Sequence, residues 1–119
     1  MTKTVVLVVE DEPIIRMNAV ALIEDAGYDV IEAIDADEAI ELLEARPDIR
    51  VVFSDIEMPT GSMDGLKLIH AIRKRWPPVM LILASGRVSP PIADMPSETV
   101  FLMKPYVEDE LLQVLAKAA

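Results

Sequence analysis

The sequence contains no cysteine, so disulfide bonds and thiolate metal sites are excluded. Aromatic residues make up only 4% of the chain, and a core must therefore be built mainly from Val, Ile, Leu, Ala and Met. Positive charge is also scarce, because 11 Lys and Arg residues stand against 21 Asp and Glu residues, a formal net charge of −10. Phosphates would repel a chain this acidic, so we expect no direct binding of nucleic acid.

Long hydrophobic runs are missing as well. The longest, such as Thr4–Val9 and Val79–Ala84, are too short to span a bilayer. The chain does not open with a basic segment followed by an apolar one, as a signal peptide would. We therefore expect a cytoplasmic protein that does not bind membranes. With 119 residues, of which 52% are hydrophobic, the chain is expected to form one domain over residues 1–119.

Short apolar runs alternate with segments of helical periodicity. Five runs rich in β-branched residues read as strands: Thr4–Val9, Tyr28–Ala33, Val51–Ser54, Val79–Ala84 and Val100–Met103. Between most of them, apolar residues recur every three or four positions, which predicts helices. This alternation favours an α/β domain with a five-stranded parallel sheet and helices on both of its faces.

The predicted helices carry recognisable start and stop signals. Pro13 opens the first helix and Gly27 ends it. The predicted buried face of that helix consists of Ile15, Ala19, Leu22, Ile23 and Ala26. Asp64 can cap a later helix, whose buried stripe would use Ile69 and Ile72. The segment 86–99 contains three prolines, so a fourth helix there should be short or distorted.

Polar side chains follow the carboxyl ends of four of the five predicted strands. They are Glu10 and Asp11 after the first strand, Asp55 after the third, Ser85 after the fourth and Lys104 after the fifth. In open parallel sheets, ligands bind beyond these strand ends. Converging carboxylates repel and raise one another's pKa values. A hard divalent cation such as Mg²⁺ would relieve that repulsion, because it prefers oxygen ligands.

Each group at this edge has a chemical role that suits phosphoryl transfer. Asp55 ends an apolar strand, where an uncompensated charge is costly, and can act as a carboxylate nucleophile towards phosphorus. The metal, bound by Asp11 and Asp55 with the help of Glu10, would neutralise charge on the transferred phosphoryl group. Lys104 is a mobile point charge suited to a phosphoryl oxygen, and the Ser85 hydroxyl can donate a hydrogen bond to another oxygen.

The arrangement resembles the receiver domain of two-component response regulators over essentially the whole chain. The matching motifs are Val8-Val-Glu-Asp-Glu-Pro13, Ser54-Asp-Ile-Glu-Met-Pro59, Met63-Asp-Gly-Leu66, Leu83-Ala-Ser-Gly86 and Met103-Lys-Pro105. The resemblance implies a flavodoxin-like doubly wound sheet with strand order 2-1-3-4-5, the order that members of this family have. It also implies two-component signal transduction, in which Asp55 takes a phosphoryl group from a histidine kinase or a histidine phosphotransfer protein.

The resemblance further implies a ligand set for Mg²⁺, or for Mn²⁺ in its place. Asp11, Asp55 and the backbone carbonyl of Glu57 would be the protein ligands, with Glu10 acting partly through water. The chain would be a phosphoacceptor with self-catalysed phosphorylation and dephosphorylation, not an enzyme, and an unidentified protein would be its downstream target.

A switch is implied in the same way. Ser85 takes the place of the switch hydroxyl, Lys104 that of the phosphoryl-binding lysine, and Phe101 that of the aromatic residue that moves inward when the hydroxyl engages the phosphate. That motion would bias a two-state equilibrium in the neighbouring face of the domain.

Two charges next to the site suggest a feature specific to this chain. Glu57 lies two residues after Asp55, and Arg87 lies two residues after Ser85. We hypothesise that Glu57 and Arg87 pair across the site and slow the attack of water on the acyl phosphate.

Two alternatives stay open, and the sequence disfavours a third. A Mg²⁺-dependent aspartyl-phosphate hydrolase would want a second acid two residues after its nucleophile, and Glu57 occupies that position. A degenerate receiver that only binds partners would lack Asp11, Asp55 or Lys104, whereas this chain keeps all three. The chain is either a stand-alone receiver or the receiver fragment of a larger regulator.

Overall fold

A computed structural model describes residues 3–56, 64–86, 95–96, 99–104 and 108–117. The strands in these ranges are β1 (Val5–Val9), β2 (Asp29–Ala33), β3 (Ile49–Asp55), β4 (Met80–Ser85) and β5 (Thr99–Met103). The helices are α1 (Pro13–Asp25), α2 (Ala36–Ala45), α3 (Gly65–Arg75) and α4 (Glu108–Ala116). The fourth predicted helix falls mostly on residues outside the described ranges, so α4 is the predicted last helix.

The five strands form one parallel sheet in the order β2-β1-β3-β4-β5. This confirms the doubly wound sheet expected from the resemblance. β1 lies between β2 and β3, so the direction of the strand order reverses between β1 and β3. Such sheets bind ligands at this reversal, which the carboxyl ends of β1 and β3 flank. The strand register places Val9 beside Ser54, and Asp55 beside Ala84.

Alternate residues of the central strands enter two separate core layers, as the period of two in a strand requires. On one face Leu7, Val52 and Leu81 pack with the buried residues of α2 and α3. On the other face Val6 and Val51 pack with the buried residues of α1 and α4. Helices therefore cover both faces, which is why the strands read as continuous apolar runs.

The residues predicted to begin and end helices lie at the helix ends in the structure. Asp64 is the N-cap of α3, and its carboxylate accepts a hydrogen bond of 2.9 Å from the backbone N–H of Lys67. Ile69 and Ile72 are fully buried on that helix. Gly27 follows α1 with a φ of 99°, a left-handed conformation that glycine adopts without strain. These residues fix where α1 ends and where α3 begins.

The buried face predicted for α1 is only partly correct. Ala19 and Ile23 are buried as expected and Leu22 is half-buried, but Ala26 is exposed and Ile15 is 41% exposed. Ile15 lies in the first turn of α1 and borders a cavity at the carboxyl edge of the sheet instead of packing in the core. Helical periodicity identifies the face of a helix but not how far the sheet extends beneath it.

Candidate phosphoacceptor and metal site

Three carboxylates meet at the carboxyl edge of the sheet. Glu10 and Asp11 directly follow β1, and Asp55 is the last residue of β3. One oxygen from each of the three side chains lies within 4.8 Å of the other two. Glu10 and Asp55 are buried, with 5% and 6% of their surface exposed. The structure thus brings together the acidic residues that the sequence analysis predicted to converge.

Lys104 joins this cluster from the end of β5. Its Nζ lies 2.8 Å from Oδ1 of Asp55 and 3.2 Å from Oε1 of Glu10. The backbone N–H of Lys104 donates a hydrogen bond of 2.8 Å to the carbonyl oxygen of Ser85, which fixes the start of the Lys104 loop against β4. One ammonium group therefore balances two buried carboxylates, an arrangement that makes their burial tolerable.

The surroundings shift the pKa values of two of these groups. Burial raises the pKa of the Glu10 carboxyl above its ordinary value, although the backbone N–H of Glu12 and the charge of Lys104 act in the opposite direction. Burial alone would lower the pKa of Lys104, but hydrogen bonds and charges from Asp55 and Glu10 outweigh it and raise that pKa. Lys104 is therefore a cation throughout the physiological range, and Glu10 is the acid whose charge is costly here.

Asp55 is held in place by the backbone around it. The N–H of Ile56 donates to the carbonyl of Ala84 at 3.0 Å, and the N–H of Gly65 donates to the carbonyl of Ile56 at 3.0 Å. Gly65 approaches β3 so closely that a Cβ at this position would overlap the Asp55 carbonyl group. Glycine is therefore required by packing, and the N-terminus of α3 is anchored directly to β3.

The turn between β1 and α1, residues 10–12, is also fixed by hydrogen bonds. The carboxylate of Glu12 accepts bonds from the backbone N–H groups of Ile14 and Ile15, at 2.9 and 3.0 Å, and so caps α1. The N–H of Glu12 donates to Oε2 of Glu10 at 3.1 Å. The sequence analysis gave Glu12 no role, although an acidic residue directly before a proline at the first helical position is a helix-start signal.

The remaining predicted site residues divide into two groups. Ser85 is fully buried at the end of β4, and Phe101 is half-buried on β5, where it packs against the core layer of α2 and α3. Glu57 and Arg87 lie outside the described residues, so both the predicted carbonyl ligand and the predicted charge pair remain predictions.

The donor set fits a hard divalent cation. Three carboxylates with no nitrogen or sulfur ligand among them are the set that Mg²⁺ and Mn²⁺ prefer. Glu10, Asp55 and Lys104 also border a small cavity of about 10 Å³, which is about the room that one water molecule requires. The chemistry of the donors therefore supports Mg²⁺ binding at this edge of the sheet.

Known proteins are similar to this chain in sequence and in fold. The family model "Response regulator receiver domain" matches residues 6–116. The sensor kinase CckA of Brucella abortus is 37% identical over an alignment of 105 residues that covers 85% of this chain and 11% of that protein. The nitrogen assimilation regulatory protein NtrX of Azorhizobium caulinodans is 32% identical over an alignment of 117 residues that covers 95% of this chain and 25% of that protein.

A solved structure gives the same result at the level of the fold. The receiver domain of NtrX from Brucella abortus superimposes with a TM-score of 0.82 at 32% identity, covering 95% of this chain and 96% of that one. None of the helices in the described ranges combines the length and the apolar character that a membrane span needs. The matched residues, the strand order and the acidic cluster agree, and the chain belongs to the response regulator receiver domain family.

Proposed function

We propose that this chain is a Mg²⁺-dependent phosphoacceptor switch of two-component signal transduction, with Asp55 as the acceptor. The observation that carries the proposal is the position of Asp55, whose Oδ1 lies 2.8 Å from Lys104 Nζ and within reach of two further carboxylates. A buried carboxylate next to a fixed ammonium group and an oxygen-rich cation site suits attack on phosphorus.

The transfer step uses few groups. An oxygen of Asp55 forms a bond to phosphorus while the bond from phosphorus to the donor's imidazole nitrogen breaks, and the electron pair of that bond stays on the nitrogen. Lys104 then pairs with a phosphoryl oxygen in place of Asp55 Oδ1, and the Ser85 hydroxyl donates a hydrogen bond to another phosphoryl oxygen. Mg²⁺, when held by Asp11 and Asp55 with help from Glu10, supplies positive charge that neutralises the phosphoryl oxygens.

The proposal extends to two further roles, a conformational switch and a charge pair. Ser85 and Phe101 would form the switch, with Phe101 moving inward when the hydroxyl engages the phosphoryl group. Glu57, through its backbone carbonyl, would be a third metal ligand, and its side chain would pair with Arg87 to slow hydrolysis. If Arg87→Ala leaves the dephosphorylation rate unchanged, that pairing is wrong.

The phosphoryl donor would be a histidine kinase or a histidine phosphotransfer protein in the cytoplasm, and the downstream target an unidentified protein. The similarity of this chain to a sensor kinase and to a nitrogen regulator supports the proposal that a kinase is its partner. Because the chain spans 11% and 25% of those two proteins, it is proposed as a receiver unit, either stand-alone or within a larger regulator.

A test uses the intact mass of the protein after incubation with Mg²⁺ and acetyl phosphate. Wild type should gain one phosphoryl group and Asp55→Asn should gain none. Asp48→Asn is the matched control, because it removes an exposed aspartate elsewhere and should react like wild type. An adduct on Asp55→Asn, or none on wild type even with a histidine kinase as the donor, would contradict the assignment.

The same sample tests the hydrolase alternative, which Glu57 favours. A hydrolase would release inorganic phosphate from phosphomonoesters over many turnovers. A receiver should show no such turnover of a phosphomonoester, although it can accept a phosphoryl group from acetyl phosphate. Repeated turnover of a phosphomonoester that Asp55→Asn abolishes would favour the hydrolase instead.

A further inference from the structure

Arg16 reaches from α1 back over the turn that carries the acidic residues. Its Nη1 donates a hydrogen bond of 2.9 Å to the backbone carbonyl of Glu10, and its Nε lies 3.1 Å from Oε1 of Glu32 near the end of β2. Only 17% of the Arg16 side chain is exposed. We propose that Arg16 is a positioning residue that fixes the Glu10 and Asp11 carboxylates for the metal, a role that rests on the proposed function.

The hydrogen bonds of the turn show why this contact matters. The N–H of Glu10 donates to the carbonyl of Ala33 on the neighbouring strand at 3.1 Å, and the carboxylate of Glu10 accepts from the N–H of Glu12. The carbonyl of Glu10 accepts from Arg16. Both peptide groups that flank the Glu10 side chain are thereby held from outside the turn, and the second of them leads directly into Asp11.

The planar guanidinium group suits this task. It donates in two directions at once, to a carbonyl in the turn and to a carboxylate at the end of β2, so a single side chain ties α1, the turn and β2 together. A lysine carries the same charge, but as a point charge on a flexible stem it cannot reproduce the fork. Groups outside the ligand set that orient metal ligands affect affinity strongly, by about 10- to 100-fold when removed.

Charge and positioning predict opposite effects, which makes the role of Arg16 testable. Arg16 is a cation near a cation site, so electrostatics alone predict that its removal tightens Mg²⁺ binding. Positioning predicts that its removal weakens Mg²⁺ binding, because the carboxylates then sample other orientations. Arg16→Lys separates the two most clearly, since it keeps the charge and loses the fork.

The experiment is a calorimetric Mg²⁺ titration of wild type, Arg16→Met and Arg16→Lys. Both variants should bind Mg²⁺ about tenfold more weakly. In metal-free protein, the amide of Glu12 should exchange its hydrogen faster in both variants, because its acceptor is less well fixed. Arg46→Met is the matched control, since it removes an arginine from an exposed ion pair with Asp48 and should leave both measurements unchanged.

The outcomes separate this inference from the proposed function. Mg²⁺ affinity that is equal or higher in Arg16→Met, with wild-type affinity in Arg16→Lys, overturns the positioning role alone. If Arg16→Met does not fold, Arg16→Lys decides by the same criterion. A wild-type protein that binds no Mg²⁺ overturns the proposed function together with this inference.

Discussion

Lys104 is the cation that balances two buried carboxylates, and Lys104→Met tests how much the domain depends on it. Methionine keeps most of the aliphatic stem but removes the ammonium group, which lies 2.8 Å from Asp55 and 3.2 Å from Glu10. The three carboxylates of the site would then repel one another without the ammonium group that offsets their charge. We expect the metal-free variant to be clearly less stable than wild type at neutral pH.

The size of the effect follows from burial. Removing one partner of a buried ion pair costs about 3–5 kcal/mol of stability. The Lys104 side chain is still 21% exposed, so water reduces this loss, and a carboxylate can also bind a proton at about 1.4 kcal/mol per pKa unit. The free energy of unfolding should therefore fall by about 2–3 kcal/mol.

The loss should depend on pH and on Mg²⁺. Burial already raises the pKa of Glu10 in the folded protein. The stabilisation that comes from protonated Glu10 is therefore fully present below its unfolded pKa of 4.5 and is lost as the pH rises through its folded pKa. Removing Lys104 raises that folded pKa further. The difference between variant and wild type should thus shrink as the pH falls towards the unfolded value, and saturating Mg²⁺ should also narrow it.

The assay is urea unfolding followed by the fluorescence of Trp76, the one tryptophan in the chain, which packs against the core. Arg46→Met serves as control, because it lowers the positive charge by the same amount but acts on an exposed pair with Asp48. Exposed pairs contribute little. The reasoning is refuted if Lys104→Met unfolds at the same urea concentration as wild type in metal-free neutral buffer.

Three further predictions concern other parts of the domain. Gly65→Ala should cost about 1–3 kcal/mol of stability, because its Cβ would overlap the Asp55 carbonyl, whereas Gly86→Ala meets only ordinary contacts and should be tolerated in the same unfolding assay. In an NMR titration, the hydrogen bond from Arg46 should hold the pKa of Asp48 below 3.8. The stabilisation from this pair is then present above pH 3.8 and is lost as the pH falls through the folded pKa of Asp48. An unshifted pKa would show that the pair does not form in solution. Adding EDTA to Mg²⁺-loaded protein should lower its melting temperature, and an unchanged melting temperature would count against metal binding.

Much of the site was predictable because it depends on local sequence. An apolar run marks a strand, and the residue that follows it lies at the carboxyl edge of a parallel sheet wherever the strand sits. That is why Glu10, Asp55, Ser85 and Lys104 could be assigned to one edge from the sequence. The strand order was carried over from the family resemblance, because periodicity does not show which strands are neighbours.

Other features depend on distances between residues far apart in the chain. The sequence alone shows a lysine at a strand end, but only the tertiary structure shows it shared between Glu10 and Asp55, since these partners are 94 and 49 residues away. The bond from Arg16 to the Glu10 carbonyl has no sequence signal at all, because every residue offers a backbone carbonyl.

The sequence by itself determined the class of fold, the places where strands end and the chemical types of side chain that collect there. These follow from burial periodicity and from the turn preferences of individual residues, which act over a few positions. The tertiary structure decided which charges pair, that Gly65 must lack a side chain and that Ile15 is exposed. The pairing of Lys104 with Asp55 and Glu10 follows from the order of the strands that carry them. The other two outcomes depend on how closely α1 and α3 approach the sheet, and packing sets that distance.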